Sequence, residues 1–297
     1  MAVWLRNHVV WAVTAALSAI AAIAWFGTSA GRSGPSIASE APAAIGEARE
    51  ASLTVGVPAP VTTRIYAPPG TGGRPIVVID AGHGGRDPGA TSVSGEVAEK
   101  DLTLTMAREL RDTLIRRGRV RVALTREDDR YFTLDERADL AQRVGAALFI
   151  SLHTDSAPNP LARGASVYSL SDIASDEEAA RFAAAQNRGI NAGAANDSSV
   201  SALLADLALR SEMMDSADFA VRLVSKSAGR FELRPQPHKF AAFHVLRKAG
   251  TAAVLFEAGY ISNADDELLL RSPEHRGAIV FALAQAIEAD IASRSRR

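Results

Sequence analysis

The sequence predicts an α/β fold: a mostly parallel twisted sheet flanked by helices on both faces, with a helical insertion between two of its later strands. Three observations carry this. Short apolar runs rich in Val and Ile alternate with longer stretches whose apolar residues recur every three or four positions. The longest periodic stretch ends at a glycine, as helices do. From 171 to 236 the alternation lapses into Ala-, Leu- and charge-rich sequence of helical character.

The first strand is expected at 76–80, a continuous β-branched run closed by Gly82, which reads as buried on both faces. A helix follows over 99–117, with Leu102, Met106, Leu110 and Leu114 on one stripe and Gly118 as its stop. Residues 121–125 form a second strand, 134–144 a second helix and 147–152 a third strand. Further strands are expected at 165–170 and 252–256, and a closing helix at 273–291. Within the 171–236 insertion, Gly, Asn and Ser loosen the chain around 189–201. Leu203, Leu204 and Leu207 form a stripe expected to pack on a neighbour.

Ahead of the folded part, Arg6 and His8 precede an apolar run at 9–26, and small residues close it at 27–31. Residues 1–31 therefore read as an export signal cleaved near Ala30, or as an uncleaved inner-membrane anchor through 9–26. Either reading places the protein outside the cytoplasm, in the periplasm. Residues 32–74, broken by Pro35, Pro42, Pro58, Pro60, Pro68 and Pro69, read as a flexible linker. Residues 75–297 are then one folded domain.

The formal net charge of -1 offers no basic footprint for a phosphate backbone, which excludes nucleic acid as a partner. With no cysteine, any metal must be held by His, Asp or Glu. His83 sits in the glycine-rich turn 80–90 after the first strand; that turn lacks the Lys-Ser/Thr ending and the GxGxxG spacing of nucleotide-binding loops. His153 ends the run 149–155, Glu257 directly follows 252–256, and Glu99 opens the long helix. Each has an ordinary explanation alone, such as a satisfied structural histidine or a carboxylate favoured by a helix dipole. Two imidazoles and one carboxylate together make a set that leaves zinc an open position, as a hydrolytic site requires.

Four landmarks resemble the zinc-dependent N-acetylmuramoyl-L-alanine amidases, particularly the cell-division type of Gram-negative bacteria. They are Gly82-His-Gly-Gly-Arg-Asp-Pro-Gly-Ala90, Glu99-Lys-Asp101, Ser151-Leu-His153 and Glu257-Ala-Gly-Tyr-Ile-Ser-Asn263, and the resemblance runs from about Pro75 to the C-terminus. It implies that His83, Glu99 and His153 hold Zn2+ and that Glu257 is the catalytic carboxylate. The reaction would be hydrolysis of the amide between N-acetylmuramic acid and L-alanine in peptidoglycan, during wall remodelling and daughter-cell separation. It also implies that the insertion is regulatory, covering the zinc until a periplasmic activator protein draws it away. Glu178, or else Glu177, is then the residue that blocks the metal, although Ser175 with Glu178 also fits a capping box. Many such relatives carry a β-rich targeting domain ahead of the catalytic one, where this sequence has the linker.

Asp80, Asp87 and Asp155 are candidates to orient a ligand imidazole. His238 and His244 are further candidates for ligand or substrate contacts, whereas His275 reads as part of a helix start. Two other functions use the same residues: a zinc peptidase cutting wall peptides, and a non-catalytic wall-binding module, which predicts a missing ligand or a missing Glu257. Both are present.

Overall fold

The computed structural model describes residues 63–188 and 200–296. The apolar run at 9–26 and the linker as far as residue 62 lie outside them, as does the loose stretch 189–199. Among the described residues no helix is long and apolar enough to cross a membrane.

Seven strands make one sheet: β1 (Ile65–Tyr66), β2 (Ile76–Ala81), β3 (Arg121–Leu124), β4 (Ala146–Asp155), β5 (Ala165–Leu170), β6 (Leu233–Ala241) and β7 (Ala253–Tyr260). Their order across the sheet is β1-β3-β2-β4-β7-β5-β6. The centre, β3-β2-β4-β7, is parallel, and β5 runs antiparallel to β7 while pairing parallel with β6. The helices are α1 (Glu99–Arg117), α2 (Leu134–Arg143), α3 (Glu177–Gln186), α4 (Val200–Ser227), α5 (His244–Lys248), α6 (Ala264–Arg271) and α7 (Pro273–Arg294).

The period-two alternation of buried strand residues divides the core. Val77, Ile79, Leu148, Ile150, Val254 and Phe256 face one side and pack with α1, α4 and α7, where Met106, Leu110, Leu223 and Leu283 are buried. Ile76, Val78, Phe149, Tyr168 and Leu255 face the other and pack with α2, α3 and α5. Helices thus flank both faces, as expected from the sequence. Gly118 ends α1 at φ 70, a conformation only glycine adopts freely, and Thr133 with Glu136 forms the capping box that starts α2.

Four expectations need correction. The linker does not extend to 74, because β1 pairs with Ala123 and Val122 of β3. Nor is 171–236 a uniform insertion: the second half of α4 buries Phe219, Ala220 and Leu223 in the main core, and the stretch runs into β6. Leu203, Leu204 and Leu207 are 60%, 61% and 55% exposed, so the stripe expected to pack faces outward. Finally, α3 is capped by Asp176, whose side chain accepts from the Ala179 N–H, while Ser175 bonds to the Phe240 backbone. The capping box between Ser175 and Glu178 is not formed.

Candidate metal centre and active site

β2 and β4 lie side by side and end at the same edge of the sheet, so the residues leaving them meet. After Ala81 the chain bends through Gly82 to His83, which takes φ 60, the left-handed region that a side chain rarely occupies. A Cβ at Gly82 would lie 2.5 Å from His153 Cε1 and one at Gly89 2.5 Å from Glu99 Oε2. Glycine there lets the loop lie flat against the imidazole and the carboxylate.

The ligand atoms of His83, Glu99 and His153 all fall within 4.8 Å of one another, and among the described residues no other such group is found. Glu99 is the centrepiece, buried at the first turn of α1. Its Oε1 accepts from the Thr154 N–H at 3.0 Å and lies 3.0 Å from His153 Nδ1; its Oε2 accepts from the Ala90 N–H at 2.9 Å. His83 Nε2 lies 3.1 Å from Glu99 Oε2 without the alignment of a hydrogen bond, so this buried nitrogen has no partner. The other ring nitrogen of His83 meets Asp87 Oδ2 at 2.8 Å. That contact suits a proton on Nδ1, so that once the ring gives up its second proton it is Nε2 that presents a lone pair to the cluster.

Electrostatics follows the same geometry. Burial opposes charge on Glu99, but the two imidazoles outweigh it and hold the carboxyl below its ordinary value. Burial likewise opposes a proton on His83, yet Asp87 and Glu99 raise its pKa to about 9. His153, more deeply buried, shifts downward because desolvation dominates.

Glu257 stands opposite His153 in the β4–β7 register and is 0% exposed, with neither oxygen hydrogen-bonded. Desolvation, reinforced by the charges of Asp155 and Glu99, pushes its pKa well above the usual carboxylate range. A carboxyl in that environment is suited to receiving a proton. Beside the cluster opens a cleft of 660 Å³, lined by His83, Asp87, Tyr131, His153, Phe182 and Phe243 among others.

Of the aspartates considered for orienting an imidazole, Asp87 makes the contact. Asp80 instead accepts from Arg137, Thr125 and Ser151 at 2.6–2.7 Å. Asp155 accepts from the Ser156 N–H, and burial, with the charges of Glu99 and Glu178, raises its pKa to about 6. Neither Glu178 nor Glu177 joins the metal cluster. Glu178 bonds to Arg234, Lys239 and the Tyr260 hydroxyl, and the Glu177 side chain is 93% exposed beside Arg181. His238 meets Ser169 and His244 meets Asp135, both apart from the cluster. His275 lies in the first turn of α7.

Sequence reasoning missed two buried arginines behind the cluster, Arg126 and Arg137. A signal existed for the first: Arg126 lies two residues beyond the end of β3, at the edge where His83 and His153 emerge.

Two imidazoles and a carboxylate at the carboxyl edge of an open α/β sheet, with an unpaired acid one strand away, are the parts of a metal-dependent hydrolase. Residues 77–289 match the N-acetylmuramoyl-L-alanine amidase family, and the chain belongs to it. It is 31% identical over 222 residues to N-acetylmuramoyl-L-alanine amidase AmiA of Escherichia coli, a match covering 73% of this chain and 76% of that one. It is 32% identical to N-acetylmuramoyl-L-alanine amidase AmiC of Neisseria meningitidis, over 73% of this chain but only 53% of that one. The crystal structure of N-acetylmuramoyl-L-alanine amidase from Clostridium difficile 630 shares the fold, with a TM-score of 0.57 at 23% identity over 74% of this chain and 98% of that one. The enzyme class is accordingly that of a peptidoglycan amidase.

Proposed function

We propose that this chain is a zinc amidase, with His83, Glu99 and His153 as ligands and Glu257 as the catalytic carboxylate, cutting between N-acetylmuramic acid and L-alanine. The observation that carries it is the three-residue cluster together with a buried, unpaired Glu257 opposite His153 in the β4–β7 register. The donors suit zinc: ligands about 2.05 Å from a tetrahedral ion sit roughly 3.3 Å apart. Each Glu99 oxygen comes close to that spacing with one imidazole, Oε2 at 3.1 Å from His83 Nε2 and Oε1 at 3.0 Å from His153 Nδ1, and the ligand atoms of the three residues all lie within 4.8 Å of one another. When bound, zinc supplies Lewis-acid polarisation of a carbonyl and acidifies water. The protein does the rest. Asp87 holds His83 in the tautomer that presents Nε2; Glu257 takes a proton from the attacking water and delivers it to the departing amide nitrogen. The fragments released are the glycan lactyl carboxylate and the free amine of the stem peptide.

The same reading covers regulation and place. Glu178, bonded to Arg234 and Lys239 of β6 and to Tyr260 of β7, pins α3 beside the cleft, where Phe182 forms part of the lining. Glu178 then acts as a latch on the covering helix, and a periplasmic activator protein that draws α3 away opens the site. Daughter-cell separation in the periplasm is the setting that accords with the family's cell-division members.

The test is metal analysis of the full chain together with digestion of purified peptidoglycan. One zinc per chain, and mass spectra showing intact stem peptides freed from glycan, are expected. Shortened peptides would instead identify a peptidase, and no release a binding module. Glu178→Ala should raise basal hydrolysis; an unchanged rate in a folded variant removes the latch.

A further inference from the structure

Arg126 is 2% exposed, and no carboxylate pairs with it among the ion pairs of the described residues. A lone buried cation is costly, so its surroundings must compensate. They do so with main-chain carbonyls. Nε donates to Ala81 O at 3.0 Å, and Nη2 donates to Gly82 O at 2.9 Å and to Lys100 O at 2.7 Å, with Thr103 Oγ1 3.1 Å away. Nη1 donates to Asp128 O at 3.2 Å. Desolvation and the charge of Arg137 depress its pKa, yet a guanidinium keeps its proton.

Three of these carbonyls, those of Ala81, Gly82 and Lys100, belong to two separate parts of the metal centre. Ala81 and Gly82 lead directly into His83, while Lys100 follows Glu99 in the first turn of α1. Thr103 of α1 reinforces the joint, donating to Gly82 O at 2.8 Å. The loop also closes over the arginine: a Cβ at Gly84, where φ is +126, would lie 3.0 Å from Arg126 Cδ and Nε. Arg137 makes the corresponding bonds on the outer side, to Ala81 O and His83 O, but it has Asp80 as counter-ion.

We propose that Arg126 is a positioning residue for the metal centre, a guanidinium staple that sets the separation of His83 from Glu99 by holding the loop carbonyls and the start of α1 together. The planar fork is required, because an ammonium carries its three donors on one nitrogen and cannot occupy the separate Nε and Nη2 positions that reach Ala81, Gly82 and Lys100 at once. This inference rests on the metal reading given above.

The test uses the full chain, with zinc affinity measured by chelator competition and ligand geometry read from the visible absorption of the cobalt(II)-loaded protein. Arg126→Lys keeps the charge and should fold, as judged by circular dichroism, yet bind zinc roughly 10- to 100-fold more weakly, the range for partners that orient ligands. Its cobalt spectrum should shift, and kcat at saturating zinc should fall while KM holds. A folded Arg126→Lys protein with wild-type zinc affinity and spectrum overturns the proposal. If that variant does not fold, Thr103→Val decides: losing the hydroxyl that bonds Gly82 O and accepts from Arg126 should weaken zinc binding at least about 5-fold, and wild-type affinity there is equally fatal. Wild-type protein that binds no zinc instead refutes the metal reading, so the two failures are told apart.

Discussion

Replacing Gly89 by alanine adds one methyl group where the structure has no room for it. The new Cβ would lie 2.5 Å from Glu99 Oε2, 2.7 Å from His83 Cδ2 and 2.8 Å from Glu99 Cβ, where ordinary contact begins at 3.4 Å. Two ligands must therefore retreat by 0.7–0.9 Å, or the loop must move by as much. Metal–ligand distances tolerate only about 0.2 Å, so the displacement is several times what the centre can absorb. The backbone at φ +67 adds strain of roughly 1–2 kcal/mol for any residue with a Cβ, enough to lower Tm by several degrees in a domain of this size. We expect Gly89→Ala to remain folded, to lose stoichiometric zinc in metal analysis after dialysis, and to lose peptidoglycan hydrolysis with it. A variant that keeps one tightly held zinc per chain and wild-type turnover would refute the steric reasoning, because the cluster would then have shown slack that the contacts deny.

Glu257→Gln should cut hydrolysis by about 10²- to 10⁴-fold while zinc content stays the same, since Glu257 lies outside the ligand cluster; loss of metal would recast it as a ligand. Asp87→Ala should weaken zinc binding roughly 10- to 100-fold in a chelator titration, through loss of the bond that orients His83. Asp80→Asn should destabilise the fold at neutral pH by roughly 3–5 kcal/mol, because it strands the buried Arg137. The Asp80 carboxyl is held below its ordinary value: desolvation opposes ionisation, but Arg137, Ser151 and Thr125 outweigh it. Its contribution is thus full above an unfolded-state pKa of about 3.9 and is lost as pH falls through the lower folded-state value. Urea melts of the two proteins should accordingly converge in acid, and a constant gap would argue against the ion pair.

The four polar residues assigned from the sequence are the ones that the fold gathers at one sheet edge, and the reason is local. Apolar runs that end abruptly in His or Glu define where strands stop, and parallel strands stop together. The expected elements 76–80, 99–117 and 147–152 match β2, α1 and β4 apart from their ends, because period and glycine stops are short-range signals. What was not legible was long-range. β6 was hidden because Pro235 and Pro237 discourage a strand assignment and are tolerated at the sheet's edge. Leu203, Leu204 and Leu207 make a periodic stripe whether or not a partner covers it. The choice of Asp87 over Asp80 as the residue that steadies His83 depends on Arg137, 57 residues away, capturing Asp80 first.

The strand order also bears on how the protein is assembled. His83, Glu99 and His153 lie in the first part of the folded chain, in the loop after β2, on α1 and on β4, whereas β7 arrives about a hundred residues later and must slot between β4 and β5. The three proposed ligands are thus synthesised well before Glu257, the acid proposed to transfer protons. On the proposed roles, hydrolysis waits for the last strand to be synthesised, the same one that joins the two halves of the sheet.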